Sequence, residues 1–521
     1  MSLTRNFTIV GSATLASRLT GFVRDVMIAA VLGTSAVADA YVAAFLIPNL
    51  FRRIVSEGAF NPAFVPIFSR KRAEEGSKAA WNFAEDAFSS LLTVLMAILL
   101  VAELAMPFIM GLIAYGFVDN APKFALAVSF ARIAFPFVIT ITLVALFAAI
   151  LNALGRYVFA AFAPVVLNLM LIGTLGFLMA GDIRETPAAG FTLVFTVFGA
   201  GVVQLILMAV AAMRAGYRLR LKRPKFNPDV LSLLLRALPG LLVAGSGHVH
   251  MLLAAGLSTG TAHAASWLYY ADRLFQLPLG FVAASIGVVL LPSIAKSLNR
   301  QAYNEANEST SRALEFALLL TLPAAIALSI LARPIVGVLY ERGAFLAEDT
   351  TNVSFVLRGL AVALPGFVLI KVFLPQFFAR ENMRTPIIAA IIGLGINIFI
   401  TIYMMGPRVH VAAAAGVAAG AWMNAGILGF ELWRQKLFRF DTIAIKRVPR
   451  LMLAAILSGF FICWLEDISH EYMRPHLGIT LKAAVLGAIC LAGITAHVGF
   501  ACALGAIDLS GLKGFFKKNT L

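Results

Sequence analysis

The chain predicts an all-α integral membrane protein of about fourteen spans, arranged as two six-helix lobes plus two C-terminal helices. Three observations predict it. Of 521 residues, 60% are hydrophobic and only 13% charged, with a mean hydropathy of +0.90, where soluble domains run at about 25% charged. Apolar runs long enough to cross a bilayer, which takes about 20 residues, recur between short polar stretches. Lysine and arginine cluster in alternate polar stretches, as topology set by basic cytoplasmic loops requires. The net charge of +16 therefore reads as loop charge, and nucleic-acid binding is not expected.

The apolar runs fall near 8–33, 36–56, 83–114, 124–152, 158–180, 187–213, 229–257, 264–292, 312–340, 350–379, 385–405, 411–433, 450–466 and 479–505. Runs at 60–70 and 290–300 read as short amphipathic extensions at the cytoplasmic surface. With the N-terminus inside, Arg70 to Lys78, Arg214 to Lys225, Arg434 to Arg450 and Lys513 to Lys518 are cytoplasmic, while Lys123, Arg184, Arg342, Arg408 and Arg474 are outside. Both termini are expected in the cytoplasm. No cleavable signal peptide is expected, because the first run lacks a basic leader beyond Arg5 and carries Arg18 and Arg24. No loop is long enough for a soluble domain.

A faint internal repeat underlies the two lobes. Ala38-Asp39-Ala40-Tyr41 with Pro48 resembles Ala271-Asp272-Arg273-Leu274 with Pro278, and Pro136, Arg156 and Asn168 match Pro365, Arg384 and Asn397. The offset is about 230 residues, the pattern of transporters built from repeated lobes around a midplane site. The expected division is 1–225 for spans 1–6, 226–445 for spans 7–12, and 446–521 for spans 13–14 and the tail. Chance similarity among Ala/Leu/Pro-rich helices is the alternative.

The candidate site is the set of charges in the first two spans. Arg18, Arg24, Asp25, Asp39, Arg52, Arg53 and Glu57 lie in or at the ends of 8–33 and 36–56. An ionised group at the bilayer centre costs about 3 to more than 10 kcal/mol, so it is kept where it faces a wet cavity, a partner or a charged ligand. Cations in excess point to an anionic ligand. Arginine suits phosphate because its planar fork makes bidentate, charge-assisted hydrogen bonds and stays ionised when desolvated. Arg18 and Arg24 stand about 9 Å apart along the helix and about 120° around it, wide enough to line one cavity wall. Pro48 should kink the second span.

Each assignment has a plainer counterpart. Asp25 adjoins Arg24 and is placed to pair with it. Arg52 and Arg53 are near enough to the membrane surface to snorkel, and Asp272 and Arg273 are placed to form a local ion pair. Lys371 lies deeper, and the sequence gives it no role. Cys463, Cys490 and Cys502 are expected as buried thiols in apolar runs, making neither a disulfide framework nor a metal site. His248 and His250 point to different sides of a helix. No metal or cofactor is expected. Nor is an enzyme: chemistry on polyprenyl phosphates would need clustered Asp residues or an HxxxxD arrangement.

SRLTGFVRD (17–25), ADAYVAAFLIPNLFRRIVSEGAFNPAFVPIF (38–68) and YYADRLFQLPLG (269–280) closely resemble signatures of the MurJ (MviN) lipid II flippases, within the superfamily of multidrug and lipid-linked oligosaccharide exporters. The resemblance runs through essentially the whole chain. It implies a multi-pass protein of the bacterial inner membrane that moves undecaprenyl-pyrophosphoryl-MurNAc-pentapeptide-GlcNAc from the cytoplasmic to the periplasmic leaflet by alternating access, for peptidoglycan synthesis. It further implies a cationic cavity for the headgroup and a prenyl-tail groove on the two extra helices. Cell-wall synthases that consume the flipped lipid are the plausible protein partners.

By position in the motifs, Arg18, Arg24, Arg52 and Arg273 are the implied substrate-binding residues. Asp25, Asp39, Arg53, Glu57 and Asp272 gate or pair charges. Many relatives have lysine where Leu46 stands and an acid where Gln276 stands, so an ion-coupling scheme through those positions is not carried over. The rival expectation on the same fold is export of another lipid-linked oligosaccharide or a drug; a non-transporting scaffold would gain nothing from arginines within its spans.

Overall fold

In lipid every backbone polar group must be satisfied within the chain, which leaves the helix as the natural solution for runs this long. The computed structural model describes residues 3–54, 60–217, 220, 222–225, 227–406, 408–473 and 477–507. Among them are α1 (Leu3–Leu32), α2 (Ala36–Ile54), α3 (Phe60–Glu74), α4 (Ser77–Ile113), α5 (Ala121–Ala134), α6 (Phe137–Ala153), α7 (Tyr157–Ala180), α8 (Pro187–Arg214) and α9 (Pro228–Ser258). There follow α10 (Ala264–Asn299), α11 (Tyr303–Ile330), α12 (Ala332–Tyr340), α13 (Ala347–Phe378), α14 (Arg384–Tyr403), α15 (Val409–Arg434), α16 (Thr442–Ser469) and α17 (Ile479–Ala503).

All fourteen apolar runs fall on helices. Among the described residues, ten helical segments are long and apolar enough to cross a membrane. The remaining four runs fall on α1, α2, α9 and α10, which at 30, 19, 31 and 36 residues are long enough to span, and α1 and α2 carry the charged residues of the candidate site. Two runs are interrupted. The 124–152 run breaks at Phe135–Pro136 into α5 and α6, and the 312–340 run breaks at Leu331, three residues before Pro334. Proline lacks the amide a continuous ladder needs. The extension at 60–70 is the separate helix α3, whereas 290–300 is the end of α10.

Helix starts follow side-chain capping. Asn120, Thr186, Asn227 and Asp441 accept hydrogen bonds from the amides of Lys123, Ala189, Val230 and Ala444, each satisfying one amide that the helix leaves open. In the first three a proline occupies the first turn, where its missing amide costs nothing. Exposed faces are strongly apolar, with Leu104, Phe460 and Leu491 among the most exposed side chains, as lipid contact demands. Cys463 is on such a face, and Cys490 and Cys502 are half-buried. The expectation of three buried thiols is corrected accordingly: small side chains on lipid-facing helix sides need no burial.

The chain divides by packing into two compact units, Met1–Ser266 with Arg342–Leu346, and Trp267–Glu341 with Ala347–Leu521. In the first, α1 packs on α7, α2 on α5 and α9, and α6 and α7 on α8. Its core holds an aromatic chain in which Phe64 stacks on Phe68 and Phe83, and Trp81 meets Tyr217. Residues 342–346 belong here because their backbone docks on the end of α1. Ala344 N–H donates to Ala30 O at 3.0 Å, and Gly343 (φ 60°) approaches so closely that a Cβ would sit 2.4 Å from Ala30 O. In the second unit, α13 packs on α11 and α15, α14 on α15, and α16 on α11 and α17.

Candidate functional site

α1 supplies Arg18 and Arg24 because its apolar run continues through both without a helix breaker. Arg24 is half-buried and well held. Its Nε and Nη2 donate to Asp25 Oδ1 at 3.0 and 2.7 Å, and its Nη1 donates to Asn168 Oδ1 at 2.7 Å. Asn168, buried on α7, turns its amide back on α1, donating to Ser17 O at 2.9 Å and Thr20 Oγ1 at 3.1 Å. One side chain thus fixes both the guanidinium and the backbone that carries it. Arg18, nearer the start of α1, is exposed.

Arg52, one turn beyond Asn49 on α2, donates from Nε to Asn49 Oδ1 at 3.3 Å and is half-buried. Arg53 is on α2, its side chain outside what the structure describes, and Glu57 lies outside the described residues.

At the opposite end of α2, Asp39 is fully buried. Its carboxylate accepts from Lys123 Nζ on α5 at 2.5 Å, His263 N at 2.9 Å, Ser266 N at 3.1 Å and Ser266 Oγ at 2.6 Å. Lys123 also sits 4.1 Å over the Phe117 ring, and His263 Nδ1 meets Thr34 O. Its partners here are a lysine, a serine hydroxyl and two backbone amides.

In the second unit, Arg273 is half-buried on α10, its guanidinium 4.5 Å over the Tyr269 ring one turn earlier. Asp272 is buried and accepts from the Gln276 side-chain amide. A carboxylate at 276 would instead face Asp272 as a like charge.

Lys123, His263, Ser266 and Asn168 were not among the predicted site residues. Lys123 read as an ordinary outside loop cation, and only the repeat singled out Asn168. Two further ion pairs hold this unit together: Lys222 Nζ, in the loop before α9, reaches Glu85 on α4 at 2.5 Å, and Lys71 Nζ on α3 reaches Asp229 on α9 at 2.9 Å. The hydrogen bond to Asp229 raises the Lys71 pKa above its ordinary value. Among the described residues no group of three or more His, Cys, Asp or Glu is placed to hold a metal ion.

Chemically, Arg24 offers a clamped, ionised fork of the kind that suits a phosphate edge. Asp39 is suited to holding helices together.

Comparison with known proteins places this geometry. A family model for the lipid II flippase MurJ matches residues 28–482. A probable lipid II flippase MurJ of Rhizobium meliloti (strain 1021) is 40% identical over 520 residues, covering 99% of this chain and 97% of the relative. One of Rickettsia prowazekii (strain Madrid E) is 30% identical over 509 residues, covering 98% and 99%. Among solved structures, a lipid II flippase MurJ in an inward closed conformation aligns with a TM-score of 0.74 at 24% identity, covering 93% of this chain and 98% of that one. An inward-facing multidrug transporter of the MATE family aligns at 0.66 with 15% identity, over 82% and 98%. At these identities the structural likenesses show the fold alone.

Proposed function

The chain belongs to the MurJ family of lipid II flippases, and from that premise we propose how its charged residues carry the substrate. The protein is a lipid II flippase, a membrane transporter serving peptidoglycan synthesis. It resides in the bacterial inner membrane with both termini cytoplasmic and moves undecaprenyl-pyrophosphoryl-MurNAc-pentapeptide-GlcNAc to the periplasmic leaflet by alternating access. The six-helix lobes 1–225 and 226–445 alternate, and 446–521 provides the prenyl-tail groove. Synthases that use the flipped lipid are its protein partners.

The observation that carries the site assignment is the clamping of Arg24. A guanidinium held through three donors by Asp25 and Asn168 is preorganised, so little side-chain entropy is lost when an anion docks. Its five N–H groups in a rigid fork match a phosphate edge. Arg24, Arg18 and Arg273 bind the diphosphate. Arg52, toward the cytoplasmic end of α2, draws the headgroup in, and Arg53 and Glu57 form its charged margin. Asp25 and Asp272 set the charge balance beside their arginines. Asp39 acts at the outer end: opening there separates its carboxylate from Lys123 and the 263–266 turn.

The test is depletion of the protein in its host while an external hydrolase cuts only lipid II exposed outside. Lipid II becomes protected on depletion, and the wild type but not Arg24→Ala reverses this. Continued cleavage in depleted cells would overturn the lipid II assignment or reveal a redundant flippase, which deletion of other exporters separates.

A further inference from the structure

Lys371 has no place in the site described so far, and its surroundings give it one. It lies on α13, half-buried and, among the described residues, without a hydrogen-bond or ion-pair partner. A lysine this far inside a span is costly unless it meets water or an anion.

The packing of α13 shows which way the lysine faces. Gly359, Gly366 and Phe373, at seven-residue spacing, meet α15 through Ala414, Ala421 and Gly429. Arg358 and Gln376 reach α11 at Ser329 O and Thr310 Oγ1. With about 100° per residue, Lys371 projects about 140° from the α15 face and about 140° from the α11 face. Phe367, one turn before Lys371 on the same side, has its ring 5.8 Å from that of Phe275 on α10. The α10 side of α13 is thus the side that carries Lys371, and α10 is the helix of Arg273. Along α13, Lys371 lies about 10 Å from the Phe378 end, whereas Arg273 is nearer the start of α10. On the proposed topology Lys371 is the cation nearer the cytoplasm.

We infer that Lys371 is a substrate-contacting residue: a cytoplasmic-side ammonium in the second unit that binds an anionic group of the lipid II headgroup, a phosphate or a peptide carboxylate. The inference rests on the flippase function proposed above. A lysine suits this role because its compact charge rides on a flexible stem, and it accepts phosphate or carboxylate without the fixed fork geometry of arginine.

The test uses the full-length protein in lipid nanodiscs, titrated with lipid II and separately with undecaprenyl diphosphate, which has the phosphates but no peptide. Lys371→Gln is expected to weaken lipid II binding about tenfold, the scale of one charge-assisted hydrogen bond, and Lys371→Arg to restore most of it. A loss seen with both lipids assigns the phosphate, and a loss confined to lipid II assigns a carboxylate. Wild-type affinity of Lys371→Gln for both lipids overturns the inference, whatever Arg24→Ala does. Wild-type affinity of Arg24→Ala with a weakened Lys371→Gln instead overturns the Arg24 assignment alone. Lys371→Met, which keeps the stem for packing, replaces the glutamine variant if the latter does not fold.

Discussion

Two charged clusters of the first unit use the same chemistry to opposite ends. Around Arg24 the cation is half-buried, positioned by Asp25 and Asn168, and only three of its five N–H donors are engaged by these two. Around Asp39 the anion is sealed, and its oxygens are saturated by Lys123, Ser266 and two amides. The guanidinium is positioned yet stays partly exposed, whereas a carboxylate ringed by four donors has nothing left to offer a ligand. On the function proposed above the first cluster binds and the second fastens, although the sequence presents both as intramembrane charges of equal interest.

The largest expected effect breaks the binding cluster. Arg24→Ala should lower lipid II transport at least about 100-fold, the scale of removing a charged partner from a buried site, with little change in thermal stability. Arg24→Lys should recover little, since one ammonium cannot reproduce the fork. Asn168→Ala should give a milder loss, about tenfold, because the guanidinium is no longer positioned while its charge remains. Transport assays in reconstituted vesicles, beside unfolding temperatures, separate these outcomes; a stability loss in Arg24→Ala as large as its transport loss would erase the contrast.

The fastening cluster should respond the other way. Asp39→Ala leaves Lys123 buried without its counter-charge and should destabilise the protein by about 3–5 kcal/mol. Combining it with Lys123→Met should restore much of that loss in a double-mutant cycle read by unfolding in detergent. Near additivity would show that the two groups are not a pair. Next in size is the docked loop 342–346. Gly343→Ala meets both a left-handed backbone (φ 60°) and Ala30 O, and about 2 kcal/mol of destabilisation is expected.

How far the sequence revealed these regions follows from what each depends on. The helices were legible because membrane spans are long and need a continuous apolar pattern, and the arginines because charge in such a run is conspicuous. The breaks at Pro136 and Leu331 were not anticipated, since hydropathy passes smoothly over them. Lys123 was invisible as a partner of Asp39: 84 residues separate them, and a loop lysine looks like any other. Asn168 gave only its place in the repeat, because an asparagine's value lies in whom it faces. Glu57 falls outside the described residues, so its sequence assignment stands as a proposal.

The smallest effect tests whether fastening by a carboxylate weakens when the carboxylate is less enclosed. Asp441 precedes α16 and is partly exposed. Burial pushes its pKa up, but hydrogen bonds from Ala444 N and Arg312 outweigh that and hold it below the ordinary value of 3.8. A folded pKa below the unfolded one means the stabilisation is present above the unfolded value and is lost as pH falls through the folded value. The first turn of α16 should therefore stay protected from hydrogen exchange from neutral pH down to about pH 4 and loosen below it, by about 1 kcal/mol, the worth of an N-cap. Asp441→Asn still caps the helix but no longer offers Arg312 an anion, so its protection should be lower at neutral pH and should not fall further in acid. An acid-induced loss of the same size in Asp441→Asn would locate the titrating group elsewhere, with Glu315, which also accepts from Arg312, the first to examine.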